Sequence, residues 1–444
     1  MKCAVVVPVG PGHEYLAEDC IESVEEAFAK ERGPFSEVTI IRVDDTQGLL
    51  GRSAARNKGV ADAQTRGAEW IFFLDADDLM DGGAFGVMGA YHADHDAVWG
   101  LICELNQDEV SYTPREGQLP SIVRLEQLLV NDPTLTLQMG HFVRASVAAA
   151  TPFDIALNCG EDFDYYLRLW AQFRCRKVAT PLFINRRGFH STGPRSATGR
   201  QWQEAVQSII RARCETANLV CEFKCEGESF RFLISNPFDP IQRHFLRGRF
   251  FELAELQYVR QRVEKGALVV DVGANVGNHA VFLARFLEPR RIVVLEHNAD
   301  LFEALRYNLG ANSVRYADTS FLGLAAGARQ NRYDIGVKDL NKTGAGRLME
   351  SATGKIRPEP LDEILGDGAD FIKIDVEGME LEVLEGAKHT ISRFRPLLLV
   401  EACTAHIDAI NRWCQENDYR VARRFDYVNS VNFFLEAAGR REKR

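Results

Sequence analysis

Apolar residues fall along this chain in short unbroken runs, each closed by Gly, Pro or Asp, with amphipathic stretches between them. Residues 4–9 and 38–43 are two such runs, and a strand covered on both faces in a parallel sheet reads as a continuous apolar segment rather than an alternating one. Residues 14–31 and 53–66 carry helical spacing, and 69–74 form a third strand that stops at Asp75. This βαβαβ rhythm predicts right-handed crossovers and a doubly wound α/β sheet. Its ligand crevice should lie at the carboxyl ends of the strands, where Asp44, Asp45, Asp75 and Asp77 fall.

The pattern then repeats in kind. Residues 161–173 read as an amphipathic helix entered through Gly160, 183–196 as a loop and 201–218 as a helix. Strands at 267–272, 291–295, 371–374 and 396–401, with helices at 277–287 and 300–309, form a second α/β alternation. A chain of 444 residues exceeds one ordinary core. The boundary is expected within 217–225, giving domains 1–216 and 217–444. The halves share a layout but not their motifs, so they are not a repeat.

Composition adds exclusions. A hydrophobic fraction of 46% and a charged fraction of 26% supply enough apolar material for two buried sheets. A net charge of -10 argues against a general nucleic-acid binder, which needs excess Lys and Arg to neutralise phosphates. The 10 cysteines include no Cys-x-x-Cys pair, and Cys214, Cys221 and Cys225 lack a nearby His to complete a zinc set. Free thiols in a reducing compartment are the expectation. The first nine residues are too short an apolar run for a signal peptide, and no later run would span a bilayer. These features predict a cytoplasmic protein. The basic end, Arg440, Arg441, Lys443 and Arg444, makes the inner membrane surface an option, and a homodimer is an open one.

Two segments carry chemistry. In Asp75-Ala76-Asp77-Asp78, carboxylates one residue apart at a strand end can face one hard divalent cation and leave its remaining positions to phosphate oxygens. An Asp-rich turn is the plainer alternative. In Asp271-Val272-Gly273-Ala274-Asn275-Val276-Gly277, the glycines permit a tight strand-to-helix turn, and Glu296 lies about 20 residues on, placed for a ribose diol. The turn lacks the Gly-x-Gly-x-x-Gly spacing that sets a helix amino end against pyrophosphate. That disfavours a nicotinamide-dependent oxidoreductase and suits a sulfonium cofactor.

The first half resembles the family 2 glycosyltransferases of the GT-A fold. The resemblance rests on Val6-Val7-Pro8-Val9, Val43-Asp44-Asp45, Ser53-Ala54-Ala55-Arg56-Asn57-Lys58-Gly59, Phe73-Leu74-Asp75-Ala76-Asp77-Asp78 and Gly160-Glu161-Asp162-Phe163-Asp164. It implies that Pro8 and Asp45 line a base pocket, and that Asp75 and Asp77 hold ribose and a Mn or Mg ion. It further implies that Asp162 is the general base of an inverting transfer from a nucleotide-diphospho-sugar to a glycan or glycolipid acceptor. Glu161 joins the substrate-binding set. Arg56 is read as a phosphate contact or a structural ion pair, and His190 as a late metal ligand or a surface histidine. Gly10-Pro11-Gly12-His13 departs from the family pattern after the first strand.

The second half resembles the FkbM-type S-adenosylmethionine-dependent methyltransferases, which have a Rossmann-like class I fold. Here the carriers are the glycine turn, Val294-Leu295-Glu296, Leu361-Asp362-Glu363-Ile364-Leu365, Ile372-Lys373-Ile374-Asp375-Val376-Glu377-Gly378-Met379-Glu380 and Leu384-Glu385-Gly386-Ala387. The resemblance implies O-methylation of a sugar hydroxyl. Asp271, Gly273, Asn275 and Gly277 would surround the amino-acid part of the cofactor and Glu296 its ribose. Glu377 is the preferred base and Asp375 the second, against the alternative that both cap the next helix. His279 and Glu401 are weaker candidates, with His279 read as core. The whole chain is expected to be a bifunctional enzyme of glycan biosynthesis. The alternative makes one domain a glycan- or nucleotide-binding module.

Overall fold

Strand β1 (Lys2–Val9) is buried along nearly its whole length, because it runs between β2 (Glu37–Asp44) and β3 (Trp70–Phe73) with all three parallel. The computed structural model describes residues 1–106, 110–130, 133–186, 199–328, 332–335, 348–351 and 353–439. By its internal contacts the chain divides into two units, Met1–Leu219 and Val220–Arg444.

In the first unit the helices Leu16–Lys30 and Arg52–Thr65 are the crossovers. The second lies hard against β1, since a Cβ on Gly59 would come 2.2 Å from a Val6 methyl carbon. The remaining strands are β4 (Asp78–Met80), β5 (Ala97–Leu105), β6 (Tyr112–Pro114), β7 (His141–Arg144) and β8 (Cys175–Asn185). The sheet order is β2-β1-β3-β7-β5-β8-β4, with β6 on the side of β5. It is mixed. β7 runs antiparallel to β3 and β5, and β4 antiparallel to β8. The parallel reading therefore holds for β2, β1 and β3, and β5 with β8 restores one parallel pair. The expected loop at 183–196 begins later, because β8 continues to Asn185.

The second unit starts with a hairpin, β9 (Val220–Cys225) and β10 (Glu228–Leu233). Its main sheet uses β11 (Leu268–Val272), β12 (Arg291–Leu295) and β13 (Ala317–Asp318). A small pair, β14 (Tyr333–Ile335) with β15 (Leu348–Glu350), stands apart, and β16 (Phe371–Ile374), β17 (Leu397–Cys403), β18 (Tyr419–Asp426) and β19 (Ser430–Ala437) complete the set. The order is β13-β12-β11-β16-β17-β19-β18, parallel from β13 to β17 and antiparallel at β19 and β18.

Both sheets reverse strand order beside their first parallel strand, β1 in one and β11 in the other. Chain leaving such a switch point departs in opposite directions and opens a crevice at the carboxyl ends. The turns after β1 and β3 flank one crevice, and those after β11, β12 and β16 flank the other.

Candidate active sites

In the first unit a cavity of about 780 Å³ opens at that edge, and Pro8, Asp45, Arg56, Asp75, Asp77 and Asp162 all line it. The acids come from three separate elements, the first being β2, which Asp45 follows. Asp75 and Asp77 follow β3, and Asp162 sits in the first turn of the helix Glu161–Gln172, entered through Gly160 at φ 75°. A residue with a Cβ is strained there.

The acids have little positive charge to share. One carboxylate oxygen each from Asp75, Asp77 and Asp78 lies within 4.8 Å of the others. Burial and then the charge of Asp75 hold Asp77 above the usual carboxylate range, and burial with Asp77 and Asp75 pushes Asp78 further up. Like charges this close oppose each other's ionisation, which is the condition a divalent cation relieves. The donor set, all hard oxygen, fits Mg or Mn. Asp78 also accepts from the Asn185 amide and from the Arg186 N–H, both at 3.2 Å, and so ties β4 to the end of β8.

Arg56 is 4% exposed and donates to Asp75 at 2.8 Å. Its Nη1 stands 3.6 Å from Glu161, and its guanidinium lies over the Phe153 ring. Of the two readings of Arg56, the geometry is that of a buried ion cluster. Glu161, 4% exposed, is held by it and by the exposed Arg52, whose Nε lies 3.4 Å away. Burial first, and Glu161 second, raise the Asp162 carboxyl to about 6. Asp45 takes the N–H groups of Leu50 and Gly51, each at 2.8 Å, and so fixes the loop that follows β2.

Sequence reasoning missed two groups. Arg186, 5% exposed, donates to the carbonyls of Leu16, Ala76 and Asp77 and so braces the acidic turn from behind. Nothing in its sequence neighbourhood signals this. His13, in the divergent loop, lines the cavity with a buried Nε2 that lacks a hydrogen-bond partner. His190 lies outside the described residues, as does the basic end.

In the second unit a cavity of about 210 Å³ is lined by Gly273, Asn275, Glu296, Asp375, Glu377 and Glu401, among others. Gly273 is required by packing: at φ 77°, a Cβ there would meet the Asp375 carbonyl oxygen at 1.9 Å. Glu296 accepts from the Asn275 and Asn298 N–H groups at 2.9 and 2.7 Å, which draws the turn after β11 to the end of β12. A carboxylate has further lone pairs, so a ribose diol can still be accepted.

Asp271 and Gly277 lie behind this wall. Asp271 is wholly buried and pairs across the sheet with Lys373, whose Nζ is 3.3 Å from it and 3.3 Å from Asp375. The same ammonium donates to the Gly273 carbonyl at 2.7 Å. Burial works against that charge, but Asp271 and then Asp375 outweigh it and raise the Lys373 pKa. The next helix, Glu380–Gly386, has Met379 at its N-cap, with no side-chain cap from that residue. His279 is buried with Nε2 3.3 Å from Glu252, so its core position carries a polar partner.

Two family models match the chain, one in each unit. Residues 18–147 match the family described as glycosyl transferase family 2, and residues 271–432 match the methyltransferase FkbM domain. The chain carries both domains in series, which supports a glycan-related bifunctional enzyme. A hexuronic acid methyltransferase, AglP of Haloferax volcanii, is 26% identical over 171 residues, 37% of this chain and 67% of that protein. Among solved structures, S. aureus TarS residues 1–349 has TM-score 0.38 at 13% identity, covering 81% of this chain and 98% of that one. An FkbM methyltransferase from Methylobacillus flagellatus KT has TM-score 0.28 at 21% identity, covering 44% of this chain and 52% of that one. Among the described residues, no helix is long and apolar enough to cross a membrane.

Proposed function

We propose that the first unit transfers a sugar from a nucleotide diphosphate to a hydroxyl acceptor with inversion, and that the second methylates a sugar hydroxyl with S-adenosylmethionine. The observation that carries the first half is the gathering of Asp75, Asp77 and Asp162 around one cavity. Asp75 and Asp77 would hold Mn or Mg, which when bound offsets the charge that develops on a departing diphosphate. Pro8 and Asp45 form the wall for the base. Asp162 takes the acceptor hydroxyl's proton, and a carboxyl raised to about 6 is a stronger proton acceptor than an ordinary one while still ionised at neutral pH.

In the second unit, Asn275 and the Gly273 turn face the amino-acid part of the cofactor and Glu296 its ribose. The cofactor supplies an electrophilic methyl group. The acceptor's proton goes to a carboxylate after β16, Asp375 or Glu377. The relative's name, hexuronic acid methyltransferase, motivates a uronic acid or a related sugar as acceptor.

The test is incubation with a nucleotide-sugar library, labelled methyl donor and candidate glycans. Label in both positions of one glycan supports coupled activities, and label on unrelated acceptors ends the coupling. The divergent loop at Gly10-Pro11-Gly12-His13 favours a second reading, a first unit that only binds its ligand. Asp77→Ala and Asp162→Ala decide it, because donor consumption unaffected by either supports binding alone.

A further inference from the structure

Strands β16 and β17 run parallel in register, Ile374 opposite Val400, so the residues that follow, Asp375 and Glu401, stand side by side at the sheet edge. Both line the cavity that also holds Gly273, Asn275 and Glu296, and each carboxyl acts on the ionisation of the other. Neighbouring buried carboxyls oppose each other's ionisation, so one of the two is favoured to keep its proton.

The surrounding charges decide which one. Lys373 reaches Asp375 but is already divided between Asp271 and the Gly273 carbonyl. Among the described residues Glu401 forms no ion pair with a cation, and the charges that act on it are those of Asp375 and Glu252, with the Ser430 hydroxyl opposing them. Glu252 is taken up by the Asn432 amide at 2.8 Å and by His279. Burial favours the neutral acid at Asp375, yet Lys373 and then Glu401 hold it below the usual range. At Glu401, burial and then Asp375 push the carboxyl up to about 9.

We propose that Asp375, backed by Lys373 and set beside Glu401 at the cavity wall, is the proton acceptor for methyl transfer, with Glu401 as its positioning residue. The proposal rests on the reading of the second unit as an O-methyltransferase. Glu377, the rival, is exposed and sits on a left-handed residue at φ 51°. In the step, the acceptor oxygen forms a bond to the methyl carbon as the carbon–sulfur bond breaks. The sulfonium leaves as a neutral thioether, and the hydroxyl proton passes to the Asp375 carboxylate and later to water. Glu401 keeps its own proton throughout, donating to Asp375 and fixing the oxygen that faces the acceptor.

The two carboxyls should therefore respond differently to the same change. Asp375→Asn removes the base and should lower kcat for methyl transfer by about 10²- to 10⁴-fold. Glu401→Gln keeps a donor toward Asp375 and should hold kcat within about tenfold, whereas Glu401→Leu, which removes it, should cost about 10- to 100-fold. Binding of S-adenosylhomocysteine by calorimetry, on the full chain, reports whether each variant keeps its fold and cofactor site. Failure of the wild type to methylate any hydroxyl while still binding S-adenosylhomocysteine would remove the O-methyltransferase reading itself. With wild-type activity in hand, an Asp375→Asn enzyme as fast as wild type, or a Glu401→Gln enzyme as impaired as Asp375→Asn, overturns the proposal. A loss confined to Glu377→Gln gives the role to Glu377 and overturns it equally.

Discussion

The two crevices solve opposite electrostatic problems with the same kind of sheet. In the first unit, Asp75, Asp77 and Asp78 converge with Arg56 against Asp75, and their mutual repulsion is left standing. In the second, a lysine from the strand itself sits between Asp271 and Asp375 and ties the glycine turn down. A site that must receive a cation together with an anionic ligand keeps its acids under-compensated. One that receives a cationic sulfonium needs its negative charge settled beforehand, with only a modest excess facing the ligand.

Replacing a cavity-lining member of the acidic group should have the largest effect. Asp77→Ala is expected to lower the rate of sugar transfer by roughly 10²- to 10³-fold, the usual scale for removing one electrostatic contributor to a transition state. Methyl transfer by the same preparation should not change. A parallel loss of both activities would mean that the comparison has mistaken a folding defect for chemistry.

The compensated site should fail differently. Lys373→Met leaves Asp271 buried without its partner, and breaking a buried pair on one side typically costs about 3–5 kcal/mol. Urea unfolding followed by a probe in the second unit should show that loss. Sugar transfer should survive wherever the first unit is still folded. Stability equal to wild type would show that Lys373 is not what settles the charge.

A subtler effect distinguishes Asp162. It must be ionised to accept a proton, so kcat/KM for sugar transfer should climb as pH rises toward about 6 and level off above it. Burial is the larger cause of that value and Glu161 the second. Glu161→Gln removes the neighbouring negative charge, which eases ionisation and should move the rising limb to lower pH. A profile that is flat from pH 5 to 8, or one that does not move in the variant, would take Asp162 out of the role.

Much of this was legible in the chain, and the reasons are physical. Strands covered on both faces must be largely apolar, so β1, β11 and β12 announce themselves, whereas β2 is an edge strand with most of its residues exposed or half-buried. Residues at strand ends inherit a common edge from topology, which is why Asp45 could be grouped with Asp75 in the first unit, and Glu296 with Asp375 in the second, from the sequence. Antiparallel β7 and the three-residue β4 carry no such mark, being short pieces whose direction depends on partners far along the chain. The same is true of charge. Lys373 was visible within a matching motif, but its role needs Asp271, about a hundred positions earlier. Glu252, on a left-handed residue before the helix Leu253–Arg262, meets His279 and Asn432 only in three dimensions. Asp271 shows the limit most clearly: its position in the glycine turn suggested cofactor contact, and its side chain supports the turn from beneath.

On the proposed function, one chain houses a cation-requiring site and a cation-independent one. Both activities measured in a single preparation, before and after chelation with EDTA and again after restoring Mn, test it most directly. Sugar transfer should disappear with EDTA and return with Mn, while methyl transfer stays constant throughout. Sugar transfer that persists in EDTA, or methyl transfer that falls with it, would contradict the account.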